Sequence, residues 1–298
     1  MRKLVYFINP ISGTKNKGAL PALIEKRTRA AGFTCEIMHT NAQGQYEFLI
    51  DKIFAEKITD IIVCGGDGTV NQLASVLQGI KVNIGIVPMG SGNGLALAAG
   101  ISRVADKALD IIFKGNASFV DGFYINSHFS CMLCGLGFDA QVAHDFASQN
   151  TRGLATYIQQ TVKNFFTAHS YPFVLHINGK KLEADAFFIS IANSNQFGNN
   201  VTIAPRASIA DGLIDIVVVG KTNKLRMLYT VFNQVSFGKV MPVSRSKFQK
   251  ANVQYYQCKE LVIENPALAP LHIDGDPAKT SERFEIKIKE KAFMLLQP

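Results

Sequence analysis

What this 298-residue chain has little of narrows its class before any motif is read. Only 18% of its residues are charged against 47% hydrophobic, a balance that excludes a disordered or low-complexity chain and leaves ample volume for buried cores. No stretch reaches the roughly eighteen uninterrupted apolar residues of a membrane-spanning helix. The most apolar long window, residues 82–101, is broken by Pro88, Gly90, Gly92 and Gly94 and reads as strand, loop and helix. After Arg2 and Lys3 the first apolar run stops at Ile8, before Asn9-Pro10. That is too short for a signal-peptide core, so the expected location is the cytoplasm. Five cysteines at scattered positions make no disulfide framework. Cys131 and Cys134 form a lone C-x-x-C with no second pair and no zinc-spaced histidine, and read as buried strand cysteines. Neither an H-E-x-x-H metal motif nor a G-x-S-x-G nucleophile elbow occurs.

Acid is missing from one segment in particular. Residues 221–250 hold Lys221, Lys224, Arg226, Lys239, Arg245, Lys247 and Lys250 and no Asp or Glu, so they carry nearly all of the net charge of +8. Such a surface can face phosphates or an anionic membrane, or be a solvated helix and loop. Nucleic acid is not the expected partner, because no helix-turn-helix, zinc-finger or ribonucleoprotein signature accompanies the charge. Leu225, Leu228, Tyr229, Phe232 and Val235 give this segment a helical apolar stripe.

The first third alternates β-rich runs (4–8, 34–39, 60–64, 83–87) with helical patterns (20–27, 46–54, 70–77), the grammar of a parallel sheet covered by helices. From about residue 119 the runs become short, β-branched or aromatic and divided by turns: 124–132, 173–177, 186–193, 213–219, 253–256, 261–264 and 271–273. They predict an antiparallel β domain, with helical interruptions over 154–166 and 225–237. The alternating stretch 284–296 is a further strand, able to pair with either part. The expected division is residues 1–122, 123–283 and a terminal strand over 284–298.

Chemistry concentrates in the glycine-rich turns. Cys64-Gly65-Gly66-Asp67-Gly68-Thr69-Val70-Asn71 lies between a strand and a helix, where an open parallel sheet binds ligands. Its glycines let backbone N–H groups approach phosphate oxygens, and the helix N-terminus adds positive potential. Asp67 can hold a Mg²⁺ ion or cap a helix, and Thr69 supplies a hydroxyl. Two more turns, Pro88-Met89-Gly90-Ser91-Gly92-Asn93-Gly94-Leu95-Ala96 and Asn9-Pro10-Ile11-Ser12-Gly13, also follow strands. Together they suit a nucleotide polyphosphate. Neither familiar fingerprint is present. Gly13 and Gly18 have P-loop spacing, but Ala19-Leu20 stands where Lys-Ser/Thr belongs. Asn71 and Leu95 occupy the third glycine of the dinucleotide motif.

The N-P-x-S-G start, G-G-D-G-T-V-N and P-x-G-S-G-N-G-L-A together resemble the diacylglycerol kinase catalytic family, which includes bacterial lipid kinases and sphingosine kinases. Gly135-Leu136-Gly137-Phe138-Asp139-Ala140, Asp211-Gly212-Leu213 and Asp274-Gly275-Asp276 follow in family order. The resemblance implies an α/β nucleotide-binding domain followed by a β-sandwich-like domain, with ATP and a lipid meeting between them. It implies ATP contacts at Asn9, Thr40, Gly65, Gly66, Asp67, Gly68, Thr69, Asn71 and Ser91. It also implies Mg²⁺ at the Asp211 carboxylate with the backbone carbonyls of Ser208 and Leu213, although Asp211 equally suits a plain turn. Bacterial relatives end the late motif D-G-E, the glutamate taking the lipid hydroxyl's proton. Here Asp276 stands there, one methylene shorter, as a base or merely part of an Asp-Gly hairpin turn. Asp139 matches the aspartate that faces the substrate amine in sphingosine kinases, or is structural. The implied activity is an ATP- and Mg²⁺-dependent lipid kinase, diacylglycerol kinase-like and peripheral to the membrane. The alternatives are a sphingoid long-chain-base kinase and a nucleotide-binding regulator with impaired catalysis.

Overall fold

The computed structural model describes residues 2–13, 18–41, 43–149, 156, 159–161, 163–164, 168–196, 202–220 and 253–298. The basic stretch 221–250 and the helix expected over 225–237 lie outside the described residues, as does most of the helix expected over 154–166.

Strand and helix alternate first: β1 (Lys3–Ile8), α1 (Leu20–Ala30), β2 (Thr34–His39), α2 (Phe48–Glu56), β3 (Asp60–Gly65), α3 (Asp67–Val76) and β4 (Asn83–Pro88). The strands pair in parallel in the order β2-β1-β3-β4. Every residue of β3 is buried, and so is all of β1 after Lys3, which is why these runs are continuously apolar rather than alternating. Helix boundaries follow local chemistry. Pro21 sits in the first turn of α1, where its missing N–H has no intrahelical partner to lose, and α2 stops at the left-handed Lys57.

After α4 (Gly94–Ala98) and α5 (Ala105–Lys114) come β5 (Ala117–Ile125), β6 (His128–Ser130), β7 (Leu133–Gly137), α6 (Phe138–Ala147), β8 (Tyr171–Ile177), β9 (Lys180–Ala192), β10 (Ile214–Gly220), β11 (Val253–Cys258), β12 (Glu260–Glu264), β13 (Leu271–Ile273), β14 (Asp276–Ala278) and β15 (Arg283–Leu296). Pairing here is antiparallel, along β14-β13-β7-β9-β8-β12-β15. This is the expected succession of a parallel α/β part and an antiparallel β part. The single strand expected over 124–132 is a hairpin instead, because Asn126 takes a left-handed φ of 52° between β5 and β6.

The two parts share one continuous sheet. β15 runs antiparallel to β12 and β5, and its far end pairs in parallel with β4, Met294 opposite Asn83. One core wraps the parallel strands and takes in Phe293, Leu295 and Leu296 of β15. A second lies among β7 to β13 and takes in Phe284 and Ile286 of the same strand.

Candidate active-site cleft

The register of the parallel strands brings the glycine-rich turns to one edge. Ile8 lies beside His39 and Cys64, and Gly65 beside Pro88, so Asn9, Thr40, Gly66 and Met89 emerge side by side at the carboxyl ends. Backbone bonds lock the row: Asn9 N–H donates to Cys64 O, Thr40 N–H to Ile8 O and Met89 N–H to Gly65 O. The Asn9 side chain donates to Thr69 Oγ1 at 2.8 Å. Gly66 and Gly90 touch backbone to backbone, since a Cβ on Gly90 would lie 2.4 Å from Gly66 Cα. No larger residue fits either position without moving a loop.

Two residues that sequence reasoning left aside shape the third turn. Asn93, at a left-handed φ of 57°, accepts from Gly90 N–H and donates back to Gly90 O. Arg103 donates to the carbonyls of Ser91 and Gly92. Ser91 is thereby held at the rim, half-buried.

Asp67, the first residue of α3, does not project freely from the loop. Burial pushes its carboxyl up to about 6, and the nearby backbone N–H groups of Gly94, Asn93 and Leu95 pull the other way. The carboxylate therefore lies beside the start of α4. Asn71, one turn further on, donates to Phe129 O in β6.

Across from this edge, β13 and β14 meet in a two-residue hairpin turn, Asp274-Gly275, with φ of 50° and 88°, the left-handed pair that favours Asp-Gly. Asp274 Oδ1 accepts from Ser130 Oγ at 2.7 Å and from the N–H groups of Leu133 and Met132. Burial pushes the Asp274 carboxyl up to about 7, the nearby Asp67 charge raising it further against the Ser130 and Leu133 bonds. Asp276 follows the turn, and its Oδ2 would be 2.8 Å from a Cβ on Gly68. An acid of the antiparallel part thus lies against the glycine loop of the parallel part. Both border a cleft of about 700 Å³ whose walls are α3 (Asn71, Gln72, Ser75) with Gln78 just beyond it, the β5–β6 hairpin (Tyr124, His128) and β14 with Lys279.

The remaining expected residues lie elsewhere. Asp139 opens α6 at 6% exposure; its Oδ1 accepts from Ala140 N–H and its Oδ2 lies 3.4 Å from His272 Nε2. That leaves little of its surface exposed. Asp211 is exposed, its carboxylate accepting from Leu213 N–H, while Asp121 beneath accepts from Gly212 N–H and from Lys291 N–H. Cys131 and Cys134 are buried, and burial raises both thiols well above their usual range.

Mg²⁺ requires hard oxygen ligands. Asp67, the first residue of α3 beside the glycine turns, supplies one carboxylate. The Asp211 turn supplies another, an exposed carboxylate, with Ser208 and Leu213 the expected carbonyl donors. Among the described residues no three or more His, Cys, Asp or Glu side chains gather around a point, so an ion here would lean on carbonyls. Also among the described residues, no helix is long and apolar enough to cross a membrane.

Known proteins share this architecture. Residues 3–125 match the diacylglycerol kinase catalytic domain, and residues 133–288 match the YegS C-terminal NAD kinase beta sandwich-like domain. A "Probable lipid kinase YegS-like" protein of Shewanella frigidimarina is 25% identical over 276 residues, spanning 90% of this chain and 86% of that one. One of the same name from Yersinia enterocolitica is 26% identical over 281 residues, spanning 92% and 90%. A crystal structure of a diacylglycerol kinase from Bacillus anthracis superimposes with a TM-score of 0.78 at 22% identity, covering 100% of this chain and 97% of the other.

Proposed function

The chain belongs to the diacylglycerol kinase catalytic-domain family of lipid kinases, with a YegS-type C-terminal domain, and from that premise we propose that it transfers the γ-phosphoryl group of ATP to a lipid hydroxyl. The observation that carries this reading is the approach of Asp276 to Gly68. It sets a carboxylate beside backbone suited to a triphosphate, with a cleft alongside for the acceptor. Phosphoryl transfer asks a protein chiefly for position and charge neutralisation, and the residues divide accordingly. The turns after β1, β3 and β4 offer N–H groups to phosphate oxygens. Asn9, Thr40 and Ser91 border the nucleotide, and Thr69 and Asn71 keep the loop in register with Asn9 and β6. Asp67, at the head of α3, would hold a nucleotide-bound Mg²⁺. Asp276 takes the proton from the acceptor hydroxyl, its shorter side chain compensated by its place against the loop. A Mg²⁺ ion bound with the nucleotide would supply charge neutralisation there, and the Asp211 turn would hold a separate ion of its own.

The seat of Asp139 on His272 favours a hydroxyl-bearing acceptor without an amine, hence a diacylglycerol-like lipid over a sphingoid base. The test is a panel of diacylglycerol, monoacylglycerol, phosphatidylglycerol and sphingoid bases with ATP and Mg²⁺, read as phosphorylated lipid. Turnover of a glycerolipid is expected. Asp276→Asn should lower kcat by about a hundredfold or more, the scale of general base catalysis, whereas Asp276→Glu, which restores the family's longer acid, should stay within tenfold of the parent. Nucleotide binding without turnover of any lipid would instead favour the regulator that the shortened acid leaves open.

A further inference from the structure

The fully buried His272 has no part in the scheme above, yet it sits two residues from the turn that aims Asp276. On β13 it pairs with Gly135 of β7 on one side and Pro277 of β14 on the other. Its Nδ1 accepts from Gly275 N–H at 3.3 Å, and its Nε2 lies 3.4 Å from Asp139 Oδ2. Gly135 makes room for this contact: a Cβ there would fall 2.0 Å from Asp139 Oδ2 and 2.4 Å from His272 Nε2. Each residue of the two-residue turn is then gripped from within, Asp274 by Ser130 and the backbone of Met132 and Leu133, Gly275 by His272.

We propose that Asp139 and His272 form a positioning pair for the catalytic turn, Asp139 keeping the imidazole proton on Nε2 so that Nδ1 remains an acceptor for Gly275 N–H and the Asp276 carboxylate is held on the cleft. The chemistry is that of a carboxylate selecting one histidine tautomer. Ala140 N–H already occupies Asp139 Oδ1. The isosteric Asp139→Asn would keep its carbonyl there and turn its NH₂ toward Nε2. The ring proton would then move to Nδ1, facing the Gly275 N–H donor to donor. The pair rests on the reading of Asp276 as the base, but the tautomer can be measured without it.

The experiment has a spectroscopic and a kinetic arm. Nitrogen-15 shifts of the full-length protein should show His272 unprotonated at Nδ1, and Asp139→Asn should exchange the two nitrogens. With a short-chain diacylglycerol in detergent micelles, Asp139→Asn should lower kcat about tenfold or more, as misplacement of a catalytic group does, with KM for ATP unchanged. His272→Asn, whose carbonyl replaces the Nδ1 acceptor, should stay within about threefold of the parent, and His272→Gln, which reaches only the Nε2 position, should lose about tenfold. A wild-type His272 protonated at Nδ1, or parental kcat in both Asp139→Asn and His272→Gln, would overturn the proposal. Unchanged turnover in Asp276→Asn would remove the base, and the nitrogen shifts would still decide on the pair.

Discussion

Two carboxyl groups, Asp67 and Asp274, are held in the folded chain with pKa values of about 6 and about 7. A carboxyl whose pKa is raised by folding binds its proton more tightly in the native state. Its stabilising contribution is therefore complete below about pH 4 and is lost as pH rises through the folded value. Asp274→Asn mimics the protonated form and retains an oxygen for Ser130, Met132 and Leu133. Thermal unfolding of the unliganded protein should show this variant more stable than the parent at pH 8, with the difference vanishing near pH 4. Equal Tm values at both pH values would contradict the burial-driven shift. The sequence marked Asp67 and Asp276 by their glycine neighbours. It gave no sign that the start of α4 would lie beside Asp67, because Asn93, Gly94 and Leu95 are brought to it only by the pairing of β3 with β4. The partners of Asp274 and the role of His272 were silent for the same reason: the residues at 130–139 that they meet lie well over a hundred residues away.

Among elements, the parallel strands were legible almost to the residue, since a strand buried on both faces leaves a continuous apolar run bounded by Gly, Asn or Asp. Helix α6 left a weaker trace, because its start, Gly137-Phe138-Asp139, reads as part of a glycine turn until Phe187 O closes over Gly137. The turns themselves were legible as a group, but not their mutual contact. Gly90→Ala tests that contact. The added methyl meets Gly66 Cα, and separating the loops should raise KM for ATP about tenfold, while overpacking costs about 1–3 kcal/mol in stability. Arg103→Ala releases two carbonyls rather than forcing two loops apart. It should raise KM for ATP about fivefold, with little change in kcat, in keeping with about 1 kcal/mol for the bonds lost.

At the scale of the whole molecule the two sequence families meet in one sheet, and β15 belongs to both cores. Unfolding should consequently be a single cooperative event, with calorimetric and van't Hoff enthalpies equal. Two resolved transitions would show that the halves melt separately. The tie is made at a bulge, where Lys291 adopts a left-handed φ of 52° and donates to the buried Asp121, between the part of β15 that follows β12 and the part that reaches β4. There is a consequence for biogenesis. β4 and its neighbour in the sheet are separated by roughly two hundred residues, a stretch that takes about 10–40 s to translate at common elongation rates. For that interval the nascent N-terminal half carries an open, apolar edge strand. Its solubility during synthesis therefore depends on what shields β4 until the partner strand leaves the ribosome.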